Sequence, residues 1–158
     1  MRPFLAAASE ALSPLVVPEL WRRHRCPICG GQPDLAFLER EAGARWLVCG
    51  RCDASWLFQR LQCPHCQNQD NHTLGYFTSE EGGAYRLYVC DRCKGYLKAV
   101  DLRRVPGEFA PAVERYLTAA LDLQAREAGY SADVPQCIEK GKTLSSRQAM
   151  IEQEVASY

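Results

Sequence analysis

Arg45-Trp46-Leu47-Val48-Cys49-Gly50-Arg51-Cys52 is echoed 41 positions later by Arg86-Leu87-Tyr88-Val89-Cys90-Asp91-Arg92-Cys93, with Arg, Val, Arg and both cysteines in register. Upstream, Cys26/Cys29 and Cys63/Cys66 repeat at an offset of 37. Self-similarity at a near-constant period marks one module used twice. Each copy holds two Cys-x-x-Cys pairs, separated by 19 residues in the first copy and 23 in the second. A Cys-x-x-Cys turn brings two thiolates to one point, which suits a tetrahedral metal better than a disulfide framework.

The expected ligand sets are sequential: Cys26, Cys29, Cys49 and Cys52 for one ion, and Cys63, Cys66, Cys90 and Cys93 for the other. An interleaved cross-brace is the alternative. In Cys26-Pro27-Ile28-Cys29-Gly30, Pro27 presets the turn and Gly30 can take the positive φ that closes the knuckle. Cys63-Pro64-His65-Cys66 repeats the turn without the glycine. Four thiolates suit zinc, and equally a mononuclear iron centre of the rubredoxin kind. They leave no open position for water or substrate, so the sites read as structural or electron-carrying, with no catalytic residue. Modules of this size bury too little surface to fold unaided. A structural zinc ion supplies on the order of 10 kcal/mol.

The expected fold is a small metal-stabilised α+β chain with two tandem rubredoxin- or zinc-ribbon-like modules followed by an amphipathic α-helix. The boundaries read 1–20 for a short helical remnant centred on Phe4 to Leu12, 21–61 for the first module and 62–104 for the second. A helix follows over 109–129, and 130–158 is a polar tail with a short helix from Ser145 to Val155. Trp46-Leu47-Val48 and Tyr85 to Val89 read as strands, and Gly82-Gly83 as a hairpin turn. The helix is drawn from the stripe Val113, Tyr116, Leu117, Ala120, Leu121 and Gln124, with Pro111 in the first turn and Gly129 just past the end. His24, His65 and His72 read as bystanders, and Cys137 as an unpaired thiol.

The chain has 158 residues, nine cysteines and equal numbers of acidic and basic groups. Residues 21–104 carry 13 basic and 9 acidic side chains, too small an excess for a strong nucleic-acid footprint. Ser9 and Glu10 interrupt the early apolar run, so no secretory signal is expected, and no stretch approaches a membrane span. Free thiols in this number then point to the reducing cytoplasm. Trp56 and Arg60 lie in the bridge from Cys52 to Cys63. They read either as packing residues or, with Tyr96 and Lys98, as a surface that grips a partner.

Cys26-Pro27-Ile28-Cys29-Gly30, then Cys49 and Cys52 followed by Trp56, Arg60 and Cys63, then Cys90-Asp91-Arg92-Cys93-Lys94-Gly95-Tyr96-Leu97-Lys98 together resemble the formate dehydrogenase accessory proteins, the FdhE family. The segment Arg126-Glu127-Ala128-Gly129-Tyr130 is similar to that family's closing segment. The resemblance covers about residues 20–135. It implies a non-enzymatic, cytoplasmic maturation factor that binds the catalytic subunit of respiratory formate dehydrogenase before export, with two tetrathiolate-bound ions, iron or zinc. Most of the family's N-terminal helical domain has no counterpart in residues 1–20, and homodimerisation is left open. Two other functions compete. One is a zinc-ribbon nucleic-acid binder using Arg22, Arg23, Arg51, Arg92, Arg103 and Arg104 with Trp46 and Tyr88, although no nucleic acid is expected from the charge. The other is a rubredoxin-like electron carrier.

Overall fold

The computed structural model describes residues 2–78 and 83–134. The expected tail helix and Cys137 lie outside the described residues, as does Gly82. The chain begins with α1 (Arg2–Leu12), which ends in a 3-10 turn at Ser13–Leu15 where Pro14 cannot continue the helix. Six strands follow: β1 (Pro33–Leu38), β2 (Arg45–Cys49), β3 (Ser55–Leu57), β4 (Leu74–Thr78), β5 (Tyr85–Cys90) and β6 (Gly95–Asp101). Two helices, α2 (Pro111–Leu117) and α3 (Ala119–Glu127), complete the order among the described residues.

The two copies of the repeat are halves of one continuous sheet, ordered β3-β2-β1-β6-β5-β4. Within each half the strands form an antiparallel meander, β1–β2–β3 and β4–β5–β6. The halves join through β1 and β6, which run parallel, Leu35 opposite Lys98 and Leu38 opposite Asp101. In a three-stranded meander the first and third strands point the same way, so the parallel pairing of β1 with β6 means that both copies run in the same direction across the sheet. The copies therefore stack head to tail.

Period-2 alternation sorts the side chains onto two faces. Ala36, Leu47, Trp56, Leu97 and Ala99 form one cluster with Cys26, Cys49 and Cys52, and Leu5 of α1 and Trp21 pack on it. Leu35, Val48 and Val100 form another with Phe37 and Phe109, while Leu87, Val89 and Tyr96 meet Ala125 and Leu121 of α3. Every residue of β6 is buried, since β6 lies mid-sheet with α3 packed on one of its faces.

The expected single helix is broken at Thr118, whose N–H and hydroxyl both bond the Glu114 carbonyl, at 3.0 and 2.6 Å. The apolar stripe is also displaced. Val113, Tyr116 and Leu117 are exposed, and Glu114, Thr118 and Ala125 are buried. The cause lies in the sheet, which meets the helices with charged groups. Arg115 pairs with Asp34 at 2.8 Å and Asp53 at 2.7 Å, and Asp122 pairs with Lys98 at 2.8 Å. Those polar contacts, which apolar periodicity does not register, set the rotation of α2 and α3.

Candidate metal centres

Four tight turns carry the cysteines, and one residue after each turn closes it. Gly30, Asp53, Gln67 and Lys94 follow the second cysteine of each pair, with φ of 68°, 59°, 60° and 53°. Only Gly30 occupies this left-handed region without a steric cost. The conformation turns the backbone round the sulfurs, with Gly30, Asp53 and Gln67 donating to the carbonyls of Cys26, Cys49 and Cys63 at 2.9–3.2 Å. A second bond locks each turn, from the N–H of Cys26, Cys49 and Cys63 to the carbonyls of Gly31, Ala54 and Asn68. The fourth turn is built into the β5–β6 hairpin, where Cys90 opposes Gly95.

The sulfurs gather in two groups, Cys26/Cys29/Cys49/Cys52 and Cys63/Cys66/Cys90/Cys93, each with all four atoms within 4.8 Å of one another. This is the sequential grouping, and all eight thiols are free. Sulfur–sulfur separations are 3.5 Å for Cys26–Cys52, 3.4 Å for Cys29–Cys49, and 3.7 Å for both Cys63–Cys93 and Cys66–Cys90. A tetrahedron with metal–sulfur bonds of about 2.3 Å has edges of about 3.8 Å, so both groups fit a tetrathiolate ion. The walls are equally close. A Cβ on Gly31 would lie 2.9 Å from Cys49 Sγ, and one on Gly95 would lie 3.1 Å from Cys93 Sγ. Backbone N–H groups of Ile28 and Arg51 point at Cys26 and Cys49 Sγ, each at 3.4 Å.

Crowded sulfurs share their protons unequally. The Cys26 thiol holds Cys49 down to about 5, and the Cys93 thiol holds Cys63 down to about 5. Cys26 and Cys93 move up in return, and burial pushes Cys52 and Cys66 up to about 11. A divalent ion would displace the remaining protons, as thiolate ligation requires. When bound, such an ion cross-links four points of the chain and, if it is iron, can exchange one electron.

α2 and the segment just after α3 reach the two groups. Arg115 bonds the Cys49 carbonyl at 3.1 Å besides its two carboxylates. At the far end, Ser131 donates to the Lys94 carbonyl at 2.8 Å, and the Tyr130 hydroxyl bonds Asp91 at 3.0 Å. A cleft of about 400 Å³ opens between the helical pair and the sheet, lined among others by Asp34, His65, Tyr96, Lys98 and Asp122.

The residues expected to grip a partner are scattered. Trp56 is wholly buried in the cluster around Cys26, Cys49 and Cys52, its indole N–H donating to the Arg23 carbonyl at 2.8 Å. It packs beside the first group and offers a partner no surface, because a buried indole N–H at that site finds its acceptor in the chain itself. Tyr96 and Lys98 line the cleft but are 5% and 6% exposed, both tied to Asp122 at 2.8 Å. Arg60 alone is on the surface.

None of the histidines joins either sulfur group; His65 bonds the Tyr96 carbonyl at 2.9 Å. Two of the arginines suggested for nucleic acid are engaged within the chain. Arg103 is paired with Asp101, and Arg23 lies over Trp21. Sequence reading missed Arg45, Arg115 and Asp101, which are buried or nearly so and hold elements together. The recurrence of Arg45 as Arg86 was the one available signal.

The fold and the two closed four-sulfur groups define a duplicated metal-knuckle protein. Residues 25–60 match the family model described as "FdhE, central domain". The "Protein FdhE homolog" of Aquifex aeolicus (strain VF5) is 36% identical over 71% of this chain and 40% of its own length. That of Stutzerimonas stutzeri (strain A1501) is 31% identical over 86% of this chain and 48% of its own. The crystal structure of the FdhE protein from Pseudomonas aeruginosa superposes with a TM-score of 0.65 at 29% identity, over 87% of this chain and 50% of that one. The chain belongs to the FdhE family. It spans about half the length of the relatives it matches, or somewhat less.

Proposed function

We propose that this chain is a non-enzymatic accessory factor in the maturation of formate dehydrogenase, binding the catalytic subunit in the cytoplasm before export. The observation that carries the reading is the pair of closed four-sulfur groups set in one sheet and roofed by one helical pair. Four cysteines around one ion fill its coordination shell, so the centres hold a surface in shape and leave no ligand position to a substrate. Membership of the FdhE family agrees with this role. Among the described residues no helix is long and apolar enough to cross a membrane. The partner surface is assigned to exposed Arg60 and to the cleft above Tyr96 and Lys98.

Pull-down with the catalytic subunit tests the proposal. Capture by this chain, or by this chain joined to the remaining part of a full-length relative, is the expected result, and failure of both overturns it. A second reading, electron transfer, is favoured by the N–H groups aimed at Cys26 and Cys49, which stabilise thiolate charge on a redox ion. Purified protein that is colourless and carries stoichiometric zinc removes it.

A further inference from the structure

Arg45 sits at the start of β2, is 2% exposed, and meets no carboxylate among the described residues. Its guanidinium lies 5.3 Å from the Phe58 ring of its own half and 5.3 Å from the Tyr88 ring of the other. Nη2 donates to the carbonyls of Gln59 and Gln62, the latter at 2.6 Å, in the linker that enters Cys63. Nε has no partner among the described residues, and Arg45 lines a cavity of about 30 Å³ together with Tyr88, Cys63 and Cys90. Burial lowers it to about 10, which leaves it charged at neutral pH, while Tyr88 and Cys63 act to raise it and Arg60 to lower it.

The repeat makes this arrangement informative. Arg86, 41 positions on, is paired at 2.7 Å with Asp101, which is wholly buried. Counting the same offset back from Asp101 arrives at Arg60, so the first half has a like charge where the second has the counter-ion. A buried cation without its own anion is costly unless another anion compensates it. Four thiolates around a divalent ion carry two negative charges in excess.

We propose that Arg45, a residue of the first half, is the charge partner of the loaded second centre, Cys63/Cys66/Cys90/Cys93. The inference rests on that centre holding a metal ion. Arg45 is a positioning and charge-balancing residue that touches no coordination site. It makes the second centre depend on the first half of the sheet, while the first centre has no such reliance on Arg86.

The test loads the full chain with cobalt(II) for affinity and with iron for reduction potential. Arg45→Met should weaken the second centre on the order of tenfold, in the range of lost outer-shell partners, and leave the first unchanged. In the iron form it should shift one potential downward, because the more negative ferrous state loses its cation, and Arg45→Lys should restore most of that shift. Cys63→Ser assigns the affected centre by its loss.

If Arg45→Met fails to fold, Arg60→Asp supplies the second probe. It installs on an exposed position the carboxylate the other half uses, and should shift the same potential downward by diverting Arg45. Both potentials unchanged in a folded variant of either kind would overturn the proposal. A wild-type chain that binds no metal at the second cysteine set would instead overturn the reading of the centre itself.

Discussion

β1 and β4 hold the same place in their two halves, each being the first strand after its first knuckle, yet they live in different solvents. Four of the six residues of β1 are buried, and none of the five in β4 is. The third strands invert the contrast: β3 is a three-residue edge, and β6 runs seven residues, all buried. Head-to-tail joining accounts for both, since β1 and β6 flank the seam while β3 and β4 are left at the edges. The difference teaches that burial in a duplicated sheet follows the neighbours each strand acquires, and only weakly its own alternation. Tyr76 and Phe77 on β4 remain over half exposed for that reason.

The largest expected effect is on the metal. Cys49→Ser should remove the first ion, halve the metal content and unfold the half in which Cys26, Cys49 and Cys52 share a cluster with Trp56, a loss on the order of 10 kcal/mol for a structural site. Cys90→Ser should remove the second ion and spare Trp56 emission, because Trp56 packs in the first half. Elemental analysis alongside tryptophan fluorescence reads both, and equal loss of emission in the two variants would erase the distinction between the halves.

Next in size, Asp101→Asn strips Arg86 and Arg103 of one buried carboxylate and should cost about 3 kcal/mol in thermal or denaturant melts. Its acid dependence belongs to the second half alone. The hydrogen bond from Arg103, with Arg86 beside it, holds the Asp101 carboxyl below its ordinary range. A depressed folded value contributes stability above the unfolded pKa of about 4, lost as pH falls through the folded value. Wild type should therefore show an acid-side loss that Asp101→Asn lacks.

Arg115→Met should cost about 1–3 kcal/mol, the buried figure discounted because Asp34 and Asp53 are two-fifths exposed, and it should loosen the first knuckle more than the second. The smallest effect separates the knuckles themselves. Gln67→Gly relieves a left-handed residue and should stabilise by about 0.5–1 kcal/mol, whereas Gly30→Ala should cost about 1 kcal/mol.

Much of this was legible in the chain. Cysteine spacing pointed to the two four-sulfur groups, because four sulfurs at one point are a local geometric demand, and Gly30 announced its backbone. The parallel seam between β1 and β6 was not legible, since it joins residues more than sixty positions apart and leaves no local pattern. Asp53, Gln67 and Lys94 hid their left-handed turns behind ordinary side chains, the cost being met by the sulfur cage. The rotation of α2 and α3 escaped apolar counting because charged pairs decide it. Trp56 was readable as a packing residue from its type, and it is wholly buried.

The helical pair, which touches the Cys49 carbonyl through Arg115, and the segment just after it, which touches the Lys94 carbonyl through Ser131, also bear on time. An ion leaves a closed tetrathiolate only when a knuckle opens, and a knuckle on each centre is fastened to that pair or to the segment just after it. Residence of the metal is then governed by how often the helices lift, whatever the equilibrium affinity. Exchange with a strong chelator should accordingly reach a ceiling rate that more chelator does not raise, and Arg115→Met should lift that ceiling for the first centre.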